Sequence, residues 1–286
     1  HRDLHSFPTR RSSDLARRRL AAVAAAAGQF RLGHRSHGHH PCGRPRLRSA
    51  TRPRPNPFPS AGLGTGPSSP PSLRVLFANV RSLKSRSVSA PKLFVLQAEL
   101  MESAFDLLLF VESWLGDDLS DACLLGPASD RFIAHRLDRA TGPGGGVCAI
   151  VSSKFHHERI ALPASYDPTP EMVVLTLSPT TDPHLIAIWY RPPSGSKETQ
   201  TAYLRSSLSA LRSIFRPNTP FSFLCDSNFP RADFIYLSVA DPLSSEFMCF
   251  VIEACLTDCI RHPTRVNASL DLLLTISPDL LSSVAV

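Results

Sequence analysis

The stretch PFSFLCDSNFP, residues 220–230, decides the fold, because it joins a buried strand to polar side chains suited to ligand binding. Its apolar run is bounded by prolines, which is typical of a buried strand, and it ends abruptly at Asp226. In α/β proteins, ligands bind where such strands end. Asp226 and Asn228 flank Ser227, so on an extended chain both side chains point to one face. A hard divalent cation or a phosphate oxygen would suit this pair.

The 286 residues carry a formal net charge of +7, which is unevenly distributed. Residues 1–72 contain 13 arginines and two acids, a net charge of +11, so residues 73–286 carry −4. Arg, Pro, Ser, Gly and Ala dominate the first segment, which cannot bury enough apolar surface to offset its chain entropy. We therefore predict a disordered Arg/Pro-rich leader over residues 1–72 and one folded domain over 73–286. Residues 3–15 resemble one reading frame of a sequencing adapter, an assembly artefact, so no nucleic-acid binding is inferred from the leader.

The seven cysteines, an odd number, favour reduced, buried thiols over a disulfide framework, and hence a nuclear or cytoplasmic protein. Cys255, Cys259 and His262 have the spacing of a partial zinc site. Because a fourth ligand is missing, packing in the core is the preferred interpretation. No apolar run is long enough to span a membrane.

Apolar periodicity predicts strands and helices along the domain. We expect strands over residues 73–80, 105–111, 132–137, 147–151, 172–177, 185–190, 220–226 and 269–275, and helices over 90–103, 199–215 and 243–254. Runs of strands between single helices favour an α/β fold of two packed mixed sheets flanked by helices over a doubly wound sheet. The glycines at 144–146 lack the Lys-Ser/Thr of a P-loop, so a tight turn is favoured over a phosphate cradle.

Polar side chains recur at the predicted strand ends: Asn79, Glu112, Tyr190, Asp226, Asn228 and Asp271. Each alone is ordinarily a turn former or a packing residue, and their recurrence is what favours phosphodiester chemistry. A carboxylate such as Glu112 can hold Mg²⁺, and one such as Asp226 can orient or deprotonate a water. Amide and phenol donors can stabilise charge on a phosphoryl group. Arg139 and Arg191 suit backbone phosphates.

Six short motifs extend this pattern in sequence order. They are NVRSL at 79–83, ESWL at 112–115, RLDR at 136–139 with GGGV at 144–147, YRPP at 190–193, DSNFP at 226–230 and SLDLLLT at 269–275. Over about residues 73–280 the chain resembles the endonuclease domain of non-LTR (LINE-type) retrotransposons, which belongs to the endonuclease/exonuclease/phosphatase superfamily. The resemblance implies a four-layer α/β/β/α sandwich of two mixed sheets. It also implies a DNA endonuclease that depends on Mg²⁺ or Mn²⁺ and nicks target DNA.

The resemblance also assigns roles residue by residue. Matched by position are the metal residues Glu112 and Asn79, the catalytic residues Tyr190, Asp226, Asn228 and Asp271, and the DNA-binding residues Arg136, Arg139 and Arg191. The implied partners are DNA and a reverse transcriptase domain, with no membrane.

Two departures from the family pattern bear on activity. Cys225 and Ser227 stand where the family has Gly and Phe, and the larger side chain at 225 would crowd the turn. The chain ends at Val286, before the family's final Ser-Asp-His strand. We therefore expect the last strand and its catalytic histidine to be missing, which opens a sheet edge and impairs cleavage. The alternatives are a catalytically dead relic that at most binds DNA, and another phosphatase or lipid phosphodiesterase of the superfamily.

Overall fold

The computed structural model describes residues 28–32 (backbone only), 73–87, 90–102, 104–140, 142, 144–163, 171–178, 183–216, 219–230, 232–260, 264 and 270–285. Its strands are β1 (Gly28–Leu32), β2 (Leu73–Asn79), β3 (Leu107–Val111), β4 (Phe132–Leu137), β5 (Val147–Ser152), β6 (His156–Arg159), β7 (Glu171–Ser178), β8 (His184–Tyr190), β9 (Phe221–Asp226), β10 (Thr257–Asp258), β11 (Asp271–Thr275) and β12 (Leu281–Ala285). Its helices are α1 (Lys92–Glu102), α2 (Asp121–Leu125), α3 (Lys197–Ile214) and α4 (Pro242–Glu253), with short 3₁₀ helices at Gly126–Ala128 and Pro278–Leu280.

The strands form two six-stranded mixed sheets. The first has the order β12-β1-β2-β3-β5-β4, and the second has the order β10-β11-β9-β8-β7-β6. Each sheet contains one parallel pair, β2 with β3 and β8 with β9, and its other pairs are antiparallel. α1 lies in the connection between β2 and β3, and α3 lies in that between β8 and β9. Parallel neighbours require such crossovers.

Alternation of side chains along the strands divides the core into three layers. Along β2, Val75 and Phe77 point between the two sheets, while Leu76 and Ala78 pack with residues of α1 and α2. The second sheet buries its other face, including Trp189 of β8, against α3 and α4. Because both sheets are covered on both faces, their central strands are predominantly apolar. The expected four-layer sandwich of two mixed sheets is confirmed.

Every predicted strand and helix is present; the strand at 132–137 has the predicted bounds, and the others differ from the prediction at one or both ends. Besides the two 3₁₀ helices, five elements were not predicted from the sequence: α2, β1, β6, β10 and β12. They lack the continuous apolar run that marks the equally short β3 and β11.

β1 comes from the segment that was predicted to be a disordered leader. Its residues pair antiparallel with β2 on one side and with β12 on the other. β2 is therefore paired on both sides, and β12 and β4 are the outer strands of this sheet. The rest of residues 1–72 lie outside the described residues, and the domain boundary at 73 stays a prediction.

No disulfide joins the six cysteines in the described residues, and the prediction of buried thiols holds for Cys148 and Cys225 alone among them. No cluster of three or more His, Cys, Asp or Glu residues in these ranges is placed to hold a metal ion. His262, the third residue of the possible zinc site, lies outside the described residues. The described part of the chain contains no helix long and apolar enough to cross a membrane.

Candidate active site

The ends of central strands from both sheets meet at one edge of the sandwich. β2 ends at Asn79, and Glu112 directly follows β3; in the second sheet, β8 and β9 end at Tyr190 and Asp226. The Asn79 Nδ2 atom donates to Glu112 Oε1 at 3.1 Å and to Asp226 Oδ2 at 2.6 Å. The Tyr190 hydroxyl donates to the same Glu112 Oε1 at 2.9 Å. These hydrogen bonds join the two sheets through four of the predicted site residues.

Asp271 reaches the same edge from a neighbouring strand. It lies opposite Asp226 in the antiparallel register of β9 and β11, and directly opposed side chains share a face of the sheet. This face points between the sheets, because Leu224 and Leu273, two residues along each strand, pack there. Both aspartates are buried, and the Asp271 backbone N–H donates to Thr264 Oγ1 at 3.1 Å.

Asn228 lies past the end of β9, in a turn. Its φ of 51° is left-handed, so the chain is no longer extended there. The expectation that Asp226 and Asn228 share one face of a strand is therefore wrong. The Asn228 Nδ2 atom donates to the Arg191 carbonyl oxygen at 2.7 Å. This contact uses one of the two N–H bonds of the amide.

Arg191 was expected to bind DNA, but its side chain is buried, and only 6% of the residue is exposed. Its guanidinium donates to the carbonyl oxygens of Ser227 at 2.7 Å and Asn228 at 2.6 Å. It also donates to Gln200 Oε1 at 2.5 Å and lies 4.1 Å from the centre of the Phe229 ring. Burial lowers the pKa of Arg191. In this geometry the residue holds the turn after β9.

Arg136, a second predicted DNA contact, also binds loops of its own chain. Its guanidinium donates to the carbonyl oxygens of Leu119 at 2.6 Å and Gly116 at 3.0 Å. It also pairs with the carboxylates of Asp121 and Asp138. All of its N–H donors are used in this way, and its side chain is only 12% exposed. The geometry therefore does not present Arg136 to DNA.

Arg139 is the predicted DNA-binding arginine that lies at the site. Its guanidinium carbon is 5.9 Å from the centre of the Tyr190 ring, and its Nε donates to Glu171 Oε1 at 2.5 Å. Glu171, which the sequence analysis missed, is buried, and its Oε2 accepts the Gly146 N–H at 2.5 Å. Burial raises the pKa of Glu171, while Arg139 and Gly146 act in the opposite direction. The signal in the sequence was a carboxylate directly before a buried apolar run.

The glycines at 144–146 form the turn into β5, as favoured from the sequence, and they also support the loop that carries Glu112. Their φ angles are 80°, 74° and 82°, which residues with a Cβ rarely adopt. The Gly145 carbonyl accepts the Trp114 backbone N–H at 2.9 Å. A Cβ on Gly145 would lie 2.3 Å from the Arg139 guanidinium.

Left-handed backbone is concentrated in the turns after β2, β3 and β9. Five non-glycine residues there have positive φ angles: Arg81, Ser82, Glu112, Trp114 and Asn228. Such conformations cost roughly 1–3 kcal/mol each and persist where the surrounding structure holds them, often at active sites.

The Tyr190 phenol is placed to act as a hydrogen-bond donor. Burial raises its pKa, and the neighbouring Glu112 carboxylate raises it further. The phenol is therefore protonated at neutral pH, which agrees with its hydrogen bond to Glu112.

Oxygen donors for a divalent cation are present at this edge. In the described residues, both hydrogen bonds to the Glu112 carboxylate fall on Oε1, which leaves Oε2 for a ligand. The Asn79 Oδ1 atom accepts the Arg81 backbone N–H at 3.3 Å. Mg²⁺ is commonly held by one or two carboxylates together with waters, and Mn²⁺ also prefers oxygen donors. The donor set fits such an ion.

Comparison with known proteins gives matches among solved structures only, since no protein-family model and no curated protein matches the chain. The endonuclease domain of TRAS1, a telomere-specific non-LTR retrotransposon, is 16% identical with a TM-score of 0.50, over 74% of this chain and 94% of that one. An AP endonuclease from Archaeoglobus fulgidus is 14% identical with a TM-score of 0.53, over 73% and 88%. A 3′ phosphatase from Neisseria bound to a product DNA hairpin is 16% identical with a TM-score of 0.53, over 71% and 86%.

These likenesses concern the fold, because the sequence identities are low. The chain shares with these structures the arrangement of two mixed sheets flanked by helices. Its structural neighbours are nucleases and a phosphatase of that fold.

Proposed function

We propose that the domain is a divalent-metal-dependent endonuclease that nicks DNA by hydrolysing a phosphodiester bond. The observation that carries this proposal is the hydrogen-bond network of Asn79, Glu112, Tyr190 and Asp226 between the two sheets. It gathers carboxylates, an amide and a protonated phenol at strand ends, where α/β folds bind ligands. The nuclease and phosphatase neighbours of the fold support the same class of reaction.

Four residues have assigned roles in the proposed reaction. Glu112 Oε2 and the Asn79 amide oxygen would hold the cation, which when bound would neutralise charge on the scissile phosphate. Asp226, oriented by its hydrogen bond from Asn79, positions the attacking water and accepts its proton. Tyr190 donates a hydrogen bond to the charge that develops on the phosphoryl group.

The surrounding residues orient these groups and the DNA. Asp271, opposite Asp226 in the sheet, fixes the environment of that carboxylate. Asn228 offers its second amide N–H to the scissile phosphate. Arg139, whose side chain is 25% exposed, binds a backbone phosphate, while Arg136 and Arg191 position loops.

We infer from the six motifs that the DNA is the target site of a non-LTR retrotransposon. The partner in this proposal is a reverse transcriptase domain, because retrotransposition would extend the nicked DNA strand by reverse transcription. A DNA-binding relic without activity and a phosphatase of the same fold are the competing functions, and the assay below separates them.

The test is metal-dependent nicking of supercoiled plasmid DNA by the purified chain. We expect nicked circles with Mg²⁺ or Mn²⁺, no product with EDTA, and no metal-dependent nicking by Glu112→Gln. Asp226→Asn should lower the rate by about 10²- to 10⁴-fold, the usual contribution of a general base. Glu158→Gln, an exposed residue of β6, is the matched control and should nick as the wild type does.

Equal nicking by the wild type and by Glu112→Gln would contradict the proposal. DNA binding without any nicking would identify a relic. Release of phosphate from a 3′-phosphorylated oligonucleotide, without nicking, would identify a phosphatase.

A further inference from the structure

Trp114 is an exposed aromatic side chain on the loop that carries Glu112. The residue is 40% exposed, whereas Ser113 between these two residues is fully buried. Both Glu112 and Trp114 have left-handed backbone, with φ angles of 52° and 53°. The loop thus presents a large aromatic ring to solvent on a strained backbone. Strained backbone is concentrated at functional sites, and exposed apolar surface often marks a binding site.

Contacts along the glycine turn place Trp114 on the rim of the candidate active site. A Cβ built on Gly144 would lie 3.2 Å from the indole Nε1, and one built on Gly145 would lie 2.3 Å from the Arg139 guanidinium. The indole and the guanidinium therefore lie over consecutive residues of one turn. Arg139 in turn lies over the Tyr190 ring, at 5.9 Å.

The chemistry of this rim matches one nucleotide beside the reacting phosphate. A flat, exposed indole offers a stacking surface to the face of a nucleobase, and a neighbouring arginine suits a phosphate. Stacking on an aromatic side chain is tolerant of base identity, because every base has a π-face. A protein partner fits less well, since the surface is a single ring bounded by a charged group and a glycine backbone.

We propose that Trp114 is the stacking platform for a nucleobase that flanks the scissile phosphate. The proposal rests on the proposed endonuclease function and specifies how its substrate is held.

Intrinsic fluorescence can test this directly, because the chain contains only two tryptophans, Trp114 and Trp189. Trp189 is fully buried in the core, so quenching by DNA reports on Trp114. The experiment titrates the full chain with a short DNA duplex in EDTA, which prevents cleavage. A second duplex of the same length carries a run of tetrahydrofuran sites that lack bases. We expect quenching with the first duplex, much weaker quenching with the second, and none in Trp114→Phe.

Affinity gives a second readout through the anisotropy of a dye-labelled duplex. Trp114→Ala should weaken binding by about 5- to 100-fold, the usual effect of removing one base-stacking side chain. The slope of affinity against salt concentration should stay unchanged, because no charge is removed. Phe94→Ala is the matched control: Phe94 lies on α1 and is 63% exposed, and its loss should change neither readout.

The outcomes separate this inference from the proposed function. Wild-type affinity in Trp114→Ala, or equal quenching by both duplexes, would overturn the stacking role even if Glu112-dependent nicking is observed. Quenching and weakened binding without nicking by the wild type would support the stacking role while contradicting the endonuclease.

Discussion

At the scale of single residues, the role of an arginine depends on what surrounds its guanidinium. Arg136 and Arg191 donate to carbonyl and carboxylate oxygens of their own chain, and of the three arginines Arg139 is the one whose guanidinium lies over the Tyr190 ring. A buried donor or carbonyl that lacks a hydrogen-bond partner lowers the free energy of unfolding. The main contribution of Arg136 and Arg191 is therefore to the stability of the fold.

Arg191→Gln should therefore lower stability and cleavage without removing a DNA contact. We expect a loss of roughly 2–4 kcal/mol of unfolding free energy, because the carbonyls of Ser227 and Asn228 lose their donors. Urea unfolding measures this loss. The slope of DNA affinity against salt should equal that of the wild type, whereas a lost phosphate contact would reduce it by about 0.9. Arg205→Gln, 66% exposed on α3, is the control and should change stability by less than about 1 kcal/mol.

His184 should make the fold sensitive to acid. Its Nε2 lies 3.0 Å from Ser222 Oγ, and burial lowers its pKa from 6.5 to about 4. Between these pH values the unfolded chain binds a proton that the folded chain does not, so stability falls as pH falls. Relative to His184→Gln, the wild type should lose about 2 kcal/mol more between pH 7 and pH 5, measured by urea unfolding. His156→Gln, exposed on β6, should behave like the wild type. An identical pH dependence in His184→Gln would refute this assignment.

At the scale of elements, the glycine turn before β5 links the Glu112 loop to Arg139. It accepts backbone hydrogen bonds from that loop, and it leaves room for the Arg139 guanidinium where a side chain would otherwise stand. The turn therefore positions the Glu112 loop and Arg139, and it contributes no reacting group itself.

Gly145→Ala and Gly142→Ala form a matched pair that tests this role. Both glycines have positive φ, 74° and 81°, so both variants carry backbone strain of roughly 1–2 kcal/mol. A Cβ on Gly145 would also displace Arg139 from Glu171, whereas a Cβ on Gly142 meets no atom of the described residues within 4 Å. We expect weaker DNA binding and slower nicking in Gly145→Ala only. Equal nicking rates in the two variants would show that nicking does not depend on the position of Arg139.

At the scale of the whole molecule, the site is divided between two sheets that are held together by apolar packing. Asn79 and Glu112 belong to the first sheet, and Tyr190, Asp226 and Asp271 belong to the second. Their geometry therefore depends on the layer of side chains between the sheets.

Ile188→Ala removes part of that layer without touching the polar network. Ile188 is buried in β8, and the cavity should cost about 2–5 kcal/mol of unfolding free energy. Nicking should be lost at a lower urea concentration than in the wild type, since the two halves of the site separate when the sheets part. Ile252→Ala, 53% exposed on α4, should change stability by no more than about 0.5 kcal/mol. Similar urea midpoints for the two variants would contradict the role assigned to this layer.

The sequence by itself determined the central strands, their order along the chain and the polar residues at strand ends. Apolar runs and their period are local properties of the chain, and so is the polar residue at which such a run ends. The resemblance carried by the six motifs added the four-layer arrangement of the sandwich.

Only the tertiary structure decided which of these residues meet and what each arginine contacts. Asn79 and Asp226 are hydrogen-bonded although 147 positions separate them, and Arg191 reaches the carbonyl of Asn228 across 37 positions. The left-handed turn at Asn228 and the burial of Glu171 likewise depend on packing between distant elements. Local patterns cannot encode such contacts, because hydrogen-bond partners and burial are set by the approach of segments that are remote in sequence.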